Sequence, residues 1–181
     1  MILPFSTHFP KDKGSLSGKP TFFMEKIYAS LMFDNLVVAF RNSDGHVELR
    51  QLSTELEKFL KLKNIKGIQI SDFVPKRHTI RKNSGERFKH GTKIHASLYV
   101  RTKKQFQFAP IFICKRTQSI EIVWSKENSY DVDVYINGKE CSYETICQLA
   151  KNDGFDSMAD FFEYFNEDFY GSIIHWTDFR Y

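Results

Sequence analysis

The feature that most constrains this chain is the alternation between residues 93 and 101. Ile94, Ala96, Leu98 and Val100 alternate there with His95, Ser97, Tyr99 and Arg101. A period of two sends apolar and polar side chains to opposite faces, which is the pattern of a half-buried strand. Further strand signals follow at Phe106–Cys114, with Pro110 implying an edge or a bulge, and at Ser119–Trp124. Val132–Ile136 runs into Asn137-Gly138, a strong hairpin signal because both turn residues tolerate positive φ. Ser172–Trp176 reads as a closing strand.

Helical signals sit between and before these strands. Thr21 is placed to cap a helix over 22–31, in which Phe23, Ile27 and Leu31 share a face. Ser142 is placed to cap a helix ending at Asp153-Gly154. Ser157 with Asp160 resembles a capping box opening a helix through Asn166. Leu36–Phe40 and His46–Leu49 read as strands and Thr54–Leu62 as a short helix, while 11–20 reads as a loop. The predicted fold class is therefore α+β: a small curved or barrel-like sheet with helices at its edges. At 181 residues a single domain is expected.

Charge is distributed very unevenly. Residues 1–57 carry a balance of −1, residues 58–116 carry +14, and residues 117–181 carry −9. The basic middle predicts an anion-attracting surface. The alternative is that the basic and acidic thirds pair with each other or form ordinary solvated faces. Asp156, Asp160, Glu163, Glu167 and Asp168 predict an acidic helical surface that repels nucleic acid, so the binding face is expected over residues 76–104.

Several classes are disfavoured. The longest apolar runs fall far short of a membrane span, and Met1–Phe5 lacks a basic n-region, which predicts no signal peptide. Cys114, Cys141 and Cys147 have no CxxC spacing, so neither a disulfide framework nor a structural zinc is expected, and a reducing cytoplasm is the simplest setting. The six histidines form no HxH or HExxH pattern, so no metal is expected. There is no Walker loop, dinucleotide fingerprint or GxSxG, and no cofactor is expected.

The stretch Lys76-Arg77-His78-Thr79-Ile80-Arg81 concentrates the chemistry. Three cations and a histidine in six residues repel one another unless an anion or nearby carboxylates compensate. Arginine suits phosphate through its planar pair of donors. Arg87 and Lys89 follow on the next turn. Arg101, Lys103 and Lys104 then precede Phe106 and Phe108, the mixture of cations and rings by which single-stranded RNA is held. The competing reading of this last segment is a basic turn followed by a strand whose Phe106 and Phe108 face the core, and it is the favoured one.

Lys-x-x-Thr-Ile-Arg, then Arg-Phe-Lys-x-Gly and a strand, resembles the ASCH domain family of the PUA-like superfamily. Leu149–Phe155 resembles its second block and Ile173–Trp176 its last strand. The resemblance covers about 76–181 and the helix at 22–31, and it makes residues 33–74 an insertion. It implies a PUA-like β-barrel with a cleft that binds RNA or a modified nucleoside. It also implies, for small members, an amidohydrolase that deacylates acetylated cytidine. The matching positions are Lys76 as base, Thr79 as nucleophile and Asp153, where the hydrolase pattern has Glu, as acid.

The resemblance and the charge pattern together give three expectations. The first is a nucleic-acid-handling domain using a basic cleft formed by Lys76–Arg81, with Arg77, His78, Arg81, Arg87, Lys89, Arg101, Lys103 and Lys104 as contacts. The second is the amidohydrolase, in which like charge from Arg77 and Arg81 lowers the Lys76 pKa and burial raises that of Asp153. The third is a protein-interaction adaptor built on 33–74 and the acidic helices.

Overall fold

The computed structural model describes residues 1–33, 72–82, 87–127 and 131–181. The strands and helix expected within 36–62 lie outside the described residues, as does most of the expected insertion at 33–74.

The larger sheet is antiparallel throughout and has the order β2–β9–β6–β7–β8. Its strands are β2 (His78–Lys82), β6 (Arg116–Trp124), β7 (Val132–Ile136), β8 (Lys139–Glu140) and β9 (Phe169–His175). The smaller sheet is built on β3 (Lys93–Leu98). β1 (Ile2–Pro4) pairs with β3 in parallel, while β4 (Phe106–Gln107) and β5 (Phe112–Ile113) pair with it antiparallel. Three helices pack against the sheets among the described residues: α1 (Phe23–Phe33), α2 (Tyr143–Asn152) and α3 (Met158–Tyr164). The class is α+β. Among the described residues the sheets are separate and neither closes, so the barrel form of the expectation is replaced by two open sheets.

Local chemistry explains most of these elements. Asn137 and Gly138 both take positive φ, +52° and +74°, as the two-residue turn between β7 and β8 requires. Ser142 accepts a hydrogen bond from Thr145 N and starts α2, and Ser157 does the same for α3 through Asp160 N. The segment expected as one strand over 106–114 is instead two short strands separated around Pro110, which lacks the N–H that a continuous ladder needs. Phe108 is buried as expected, but Phe106 is 39% exposed, against the expectation that both rings face the core.

Two apolar clusters hold the fold. One joins α1 to the smaller sheet through Ile27, Tyr28, Leu3, Ile94, Leu98 and Phe112, with Trp176 and Ile174. The other packs α2 and α3 on the larger sheet through Leu149, Phe155, Phe161, Ile120, Val134 and Ile173. Ile173 and Ile174, adjacent in β9, enter different clusters, so the sheet is covered on both faces at this point. Acidic side chains of the C-terminal third also do structural work. Asp156 lies 2.6 Å from Lys26, Glu163 accepts from Ser15, and Asp168 accepts from Trp124 N at 2.8 Å.

Candidate functional site

The basic motif divides into a buried half and a cleft-lining half. Pro75 disfavours a helical backbone at Val74, the residue before it, on the approach to Lys76. The Lys76 N–H then donates to the Lys26 carbonyl at 2.9 Å, and Arg77 N–H to the Asn152 carbonyl at 2.8 Å. These bonds tie the motif to α1 and to the end of α2.

The Lys76 side chain is 1% exposed. Its Nζ donates to Asp153 Oδ1 at 2.6 Å and to the Asp153 carbonyl, and it sits 4.5 Å from the centre of the Phe23 ring. Gly154 makes this approach feasible. It has φ +90°, and a Cβ there would lie 3.1 Å from Lys76 Cδ and 3.2 Å from the Phe23 ring. Asp153, the residue that ends α2, also takes the exposed edge of β2 by accepting from Ile80 N–H at 3.2 Å.

The network continues inward. His78 Nε2 lies 2.8 Å from the Tyr181 hydroxyl, which accepts from Asn152 Nδ2 at 3.0 Å. That leaves the tyrosine proton for Nε2 and assigns the His78 proton to Nδ1. Nδ1 is 3.7 Å from Asp153 Oδ1, too long for a hydrogen bond but close enough for attraction. His175 packs against His78 with ring centres 5.2 Å apart, and neither of its ring nitrogens has a hydrogen-bond partner among the described residues.

Burial governs the protonation of this cluster. It lowers the Lys76 amine to about 8, with Asp153 partly offsetting the fall and Arg81 and Lys26 adding to it. The like-charge effect expected from Arg77 and Arg81 is thus secondary to desolvation, and it comes from Arg81 and Lys26. Burial pushes the Asp153 carboxyl upward, but Lys76 and His78 outweigh it and hold the group below its ordinary value. That direction is opposite to the raised pKa expected of a proton-donating acid. Burial lowers His78, and it lowers His175 to about 3, so both rings are neutral at pH 7. At neutral pH the cluster is an ammonium–carboxylate pair sealed from solvent.

Thr79 stands apart from this pair. Its antiparallel partner is Ile174, which faces the α1 cluster, whereas Ile80 and Ile173 face α2 and α3. Alternation therefore turns the Thr79 side chain toward the α1 side. It is buried and makes no hydrogen bond to Lys76 or Asp153. Of the three expected catalytic residues, the structure brings Lys76 and Asp153 into contact and leaves Thr79 on the other face.

Arg81 opens the second half of the motif. Its guanidinium donates to the Pro4 carbonyl at 2.7 Å and to the Ile80 carbonyl at 3.2 Å, and it lies 5.3 Å from the Phe5 ring centre. These contacts orient it along the wall of a cleft of about 570 Å³. β1 forms another wall, and Arg81, Lys82, Arg87 and Arg101 bring positive charge to the lining, with none of the described lining residues acidic. Arg81, Arg87 and Arg101 were expected on such a surface. Lys89, Lys103 and Lys104 are exposed nearby in sequence but do not line the cleft. His78 is buried and Arg77 half-buried, and neither they nor Lys76 line the cleft, so the expected single pocket around Lys76–Arg81 is replaced by one that begins at Arg81.

Lys82, Gln105 and Ile2–Pro4 line the cleft without having been singled out from the sequence. Lys82 was one cation among many. The N-terminal wall depends on the parallel pairing of β1 with β3, more than 90 residues away. No helix among the described residues is long and apolar enough to cross a membrane. No group of three or more metal-ligating side chains occurs among them. Comparison with family models, curated proteins and solved structures found no match.

Proposed function

We propose that this is a nucleic-acid-handling domain whose cleft binds RNA or a modified nucleoside through phosphate and base contacts. The carrying observation is the cleft lined by Arg81, Lys82, Arg87 and Arg101, with no acidic side chain among its described lining residues. Its volume of about 570 Å³ falls within the range of small-ligand sites. The +14 balance of residues 58–116 extends the attraction beyond the cleft, and Arg101, Lys103 and Lys104 continue it on the adjoining turn. The resemblance of the 76–81 motif to the ASCH pattern supports the same reading, with a PUA-like fold as its structural counterpart.

Four to six phosphate contacts on a single strand imply a log–log salt slope of about −3 to −4. Affinity for a labelled RNA should then fall about 50- to 300-fold between 50 and 200 mM salt. Arg101→Ala should weaken binding and make the slope shallower by about 0.7. No binding at low salt, or binding indifferent to salt, would remove this reading.

A second reading is favoured by the contact between Lys76 and Asp153 across 77 residues of sequence. It is the amidohydrolase acting on an acetylated cytidine-type nucleoside, with Thr79 as nucleophile. Reaction would require the α1-facing Thr79 and the sealed pair to come together around a substrate. Incubation with acetylcytidine, followed by separation of cytidine, tests it. Absence of turnover, or turnover unchanged in Thr79→Ala, rules it out.

A further inference from the structure

The turn between β3 and β4 carries features that phosphate binding alone does not require. Tyr99 is 51% exposed and Phe106 is 39% exposed, on either side of the turn. They are the chain neighbours of Val100 and Gln105, which line the basic cleft. Leu98, the residue before Tyr99, is the register partner of Phe106.

The turn itself is held in a fixed and costly shape. Tyr99 and Arg101 both adopt left-handed backbone conformations, with φ +50° and +67°, that non-glycine residues rarely take. Thr102 secures them: its N–H and its hydroxyl both donate to the Tyr99 carbonyl, at 3.1 and 2.7 Å. Gln105 closes the turn by donating its N–H to the Thr102 carbonyl at 3.1 Å, and its side-chain oxygen accepts from Arg101 N–H at 3.3 Å. Strained residues kept in place by their surroundings are a recurring mark of binding sites. Here the strain presents a ring and three cations, Arg101, Lys103 and Lys104, on a short rigid loop. No Asp or Glu occurs from Arg87 to Arg116.

We infer that Tyr99 and Phe106 form a stacking platform for unpaired bases, so that the partner of the basic cleft is a single-stranded nucleic acid. The inference rests on the proposed cleft function and narrows it. Phosphates occupy the line of cations, and bases turn outward onto the two rings. Duplex bases already stack on one another and cannot use the rings, so the platform discriminates by strandedness and tolerates sequence.

The test is fluorescence anisotropy on the full chain with labelled oligo(U) RNA and with an RNA duplex of equal length. Both rings are exposed, so Tyr99→Ala and Phe106→Ala are compatible with the fold. Each should weaken single-strand binding about tenfold, leave duplex binding unchanged, and leave the salt slope at the wild-type value. Phe106→Trp should retain affinity. If wild type binds RNA with steep salt dependence but the double alanine variant binds the single strand equally well, the platform falls and the cleft reading stands. If wild type binds neither form, both fall. Equal losses for single strand and duplex would also overturn the platform, because they report a disturbed loop and not lost stacking.

Discussion

Replacing Asp153 by Asn retains an oxygen for the Ile80 N–H and deletes the charge that Lys76 faces. In the wild type, Lys76 titrates at about 8 instead of 10.5. Its folded value is the lower, so the unfolded chain binds more protons between these limits. Lys76 therefore makes stability rise with pH from about 8 to 10.5 and contributes no slope below 8. At about 1.4 kcal/mol per pH unit, holding the ammonium inside costs about 3 kcal/mol. In Asp153→Asn no opposite charge offsets burial, and the amine should titrate below pH 7, as buried lysines without a carboxylate partner do. The folded variant then holds a neutral amine at pH 7, at a cost of about 5 kcal/mol against an unfolded lysine that is still protonated. The net loss at pH 7 is the one pH unit between these two costs, about 1.4 kcal/mol, less than the roughly 3–5 kcal/mol expected if the amine stayed charged and stranded. Urea unfolding followed by circular dichroism from about pH 6 to 9 measures this. The variant should gain about 1.4 kcal/mol per unit between pH 7 and 8, where Lys76 contributes no slope in the wild type. Asp153 gives a slope of the same sign in a different window: its lowered pKa contributes stability that is lost as pH falls through the carboxylate range, and the variant should lack that part of the acid limb. Parallel pH profiles for the two proteins would refute the buried-pair account.

Two further outcomes follow from neighbouring residues. His175 titrates at about 3 when folded, so the unfolded state binds more protons below pH 6.5 and stability falls with acid across that window. His175→Leu should flatten the acid limb by up to about 1.4 kcal/mol per pH unit and leave stability at pH 7 no lower; an unchanged limb in the same urea series counts against a buried neutral ring. Gly154→Ala places a Cβ against Lys76 and Phe23 at φ +90°, and should lower stability by about 2 kcal/mol or more. A thermal melt matching the wild type would show that the helix end is not the constraint described.

The parts legible in the sequence are those fixed by neighbouring residues. Asn137-Gly138 and the Ser142 and Ser157 caps each specify their structure within a few positions, whereas the strand expected over 93–101 stops at Leu98, where Tyr99 and Arg101 take positive φ. The larger sheet's β9 was legible in position but starts earlier, at Phe169, because its pairing with β6 continues to Ile122. Reading 106–114 as one strand, with Phe106 facing the core, missed the division around Pro110 that leaves the first two residues as a separate short strand and that ring 39% exposed. The meeting of Lys76 with Asp153 could be anticipated only through the family resemblance, since no local rule links positions so far apart. The cleft was half legible. Charge marked Arg81, Arg87 and Arg101, but Lys76 was drawn into the interior by Asp153, and three N-terminal residues supplied a wall that no short-range pattern announces.

The location of bound RNA on the chain tests the central claim most directly. Ultraviolet cross-linking of oligo(U) to the full chain, with the attached peptides mapped by mass spectrometry, should place the adducts in the described segments 81–82 and 87–106 and in Ile2–Pro4. Adducts concentrated on the acidic α2–α3 region, or spread evenly over the chain, would contradict a basic cleft that begins at Arg81.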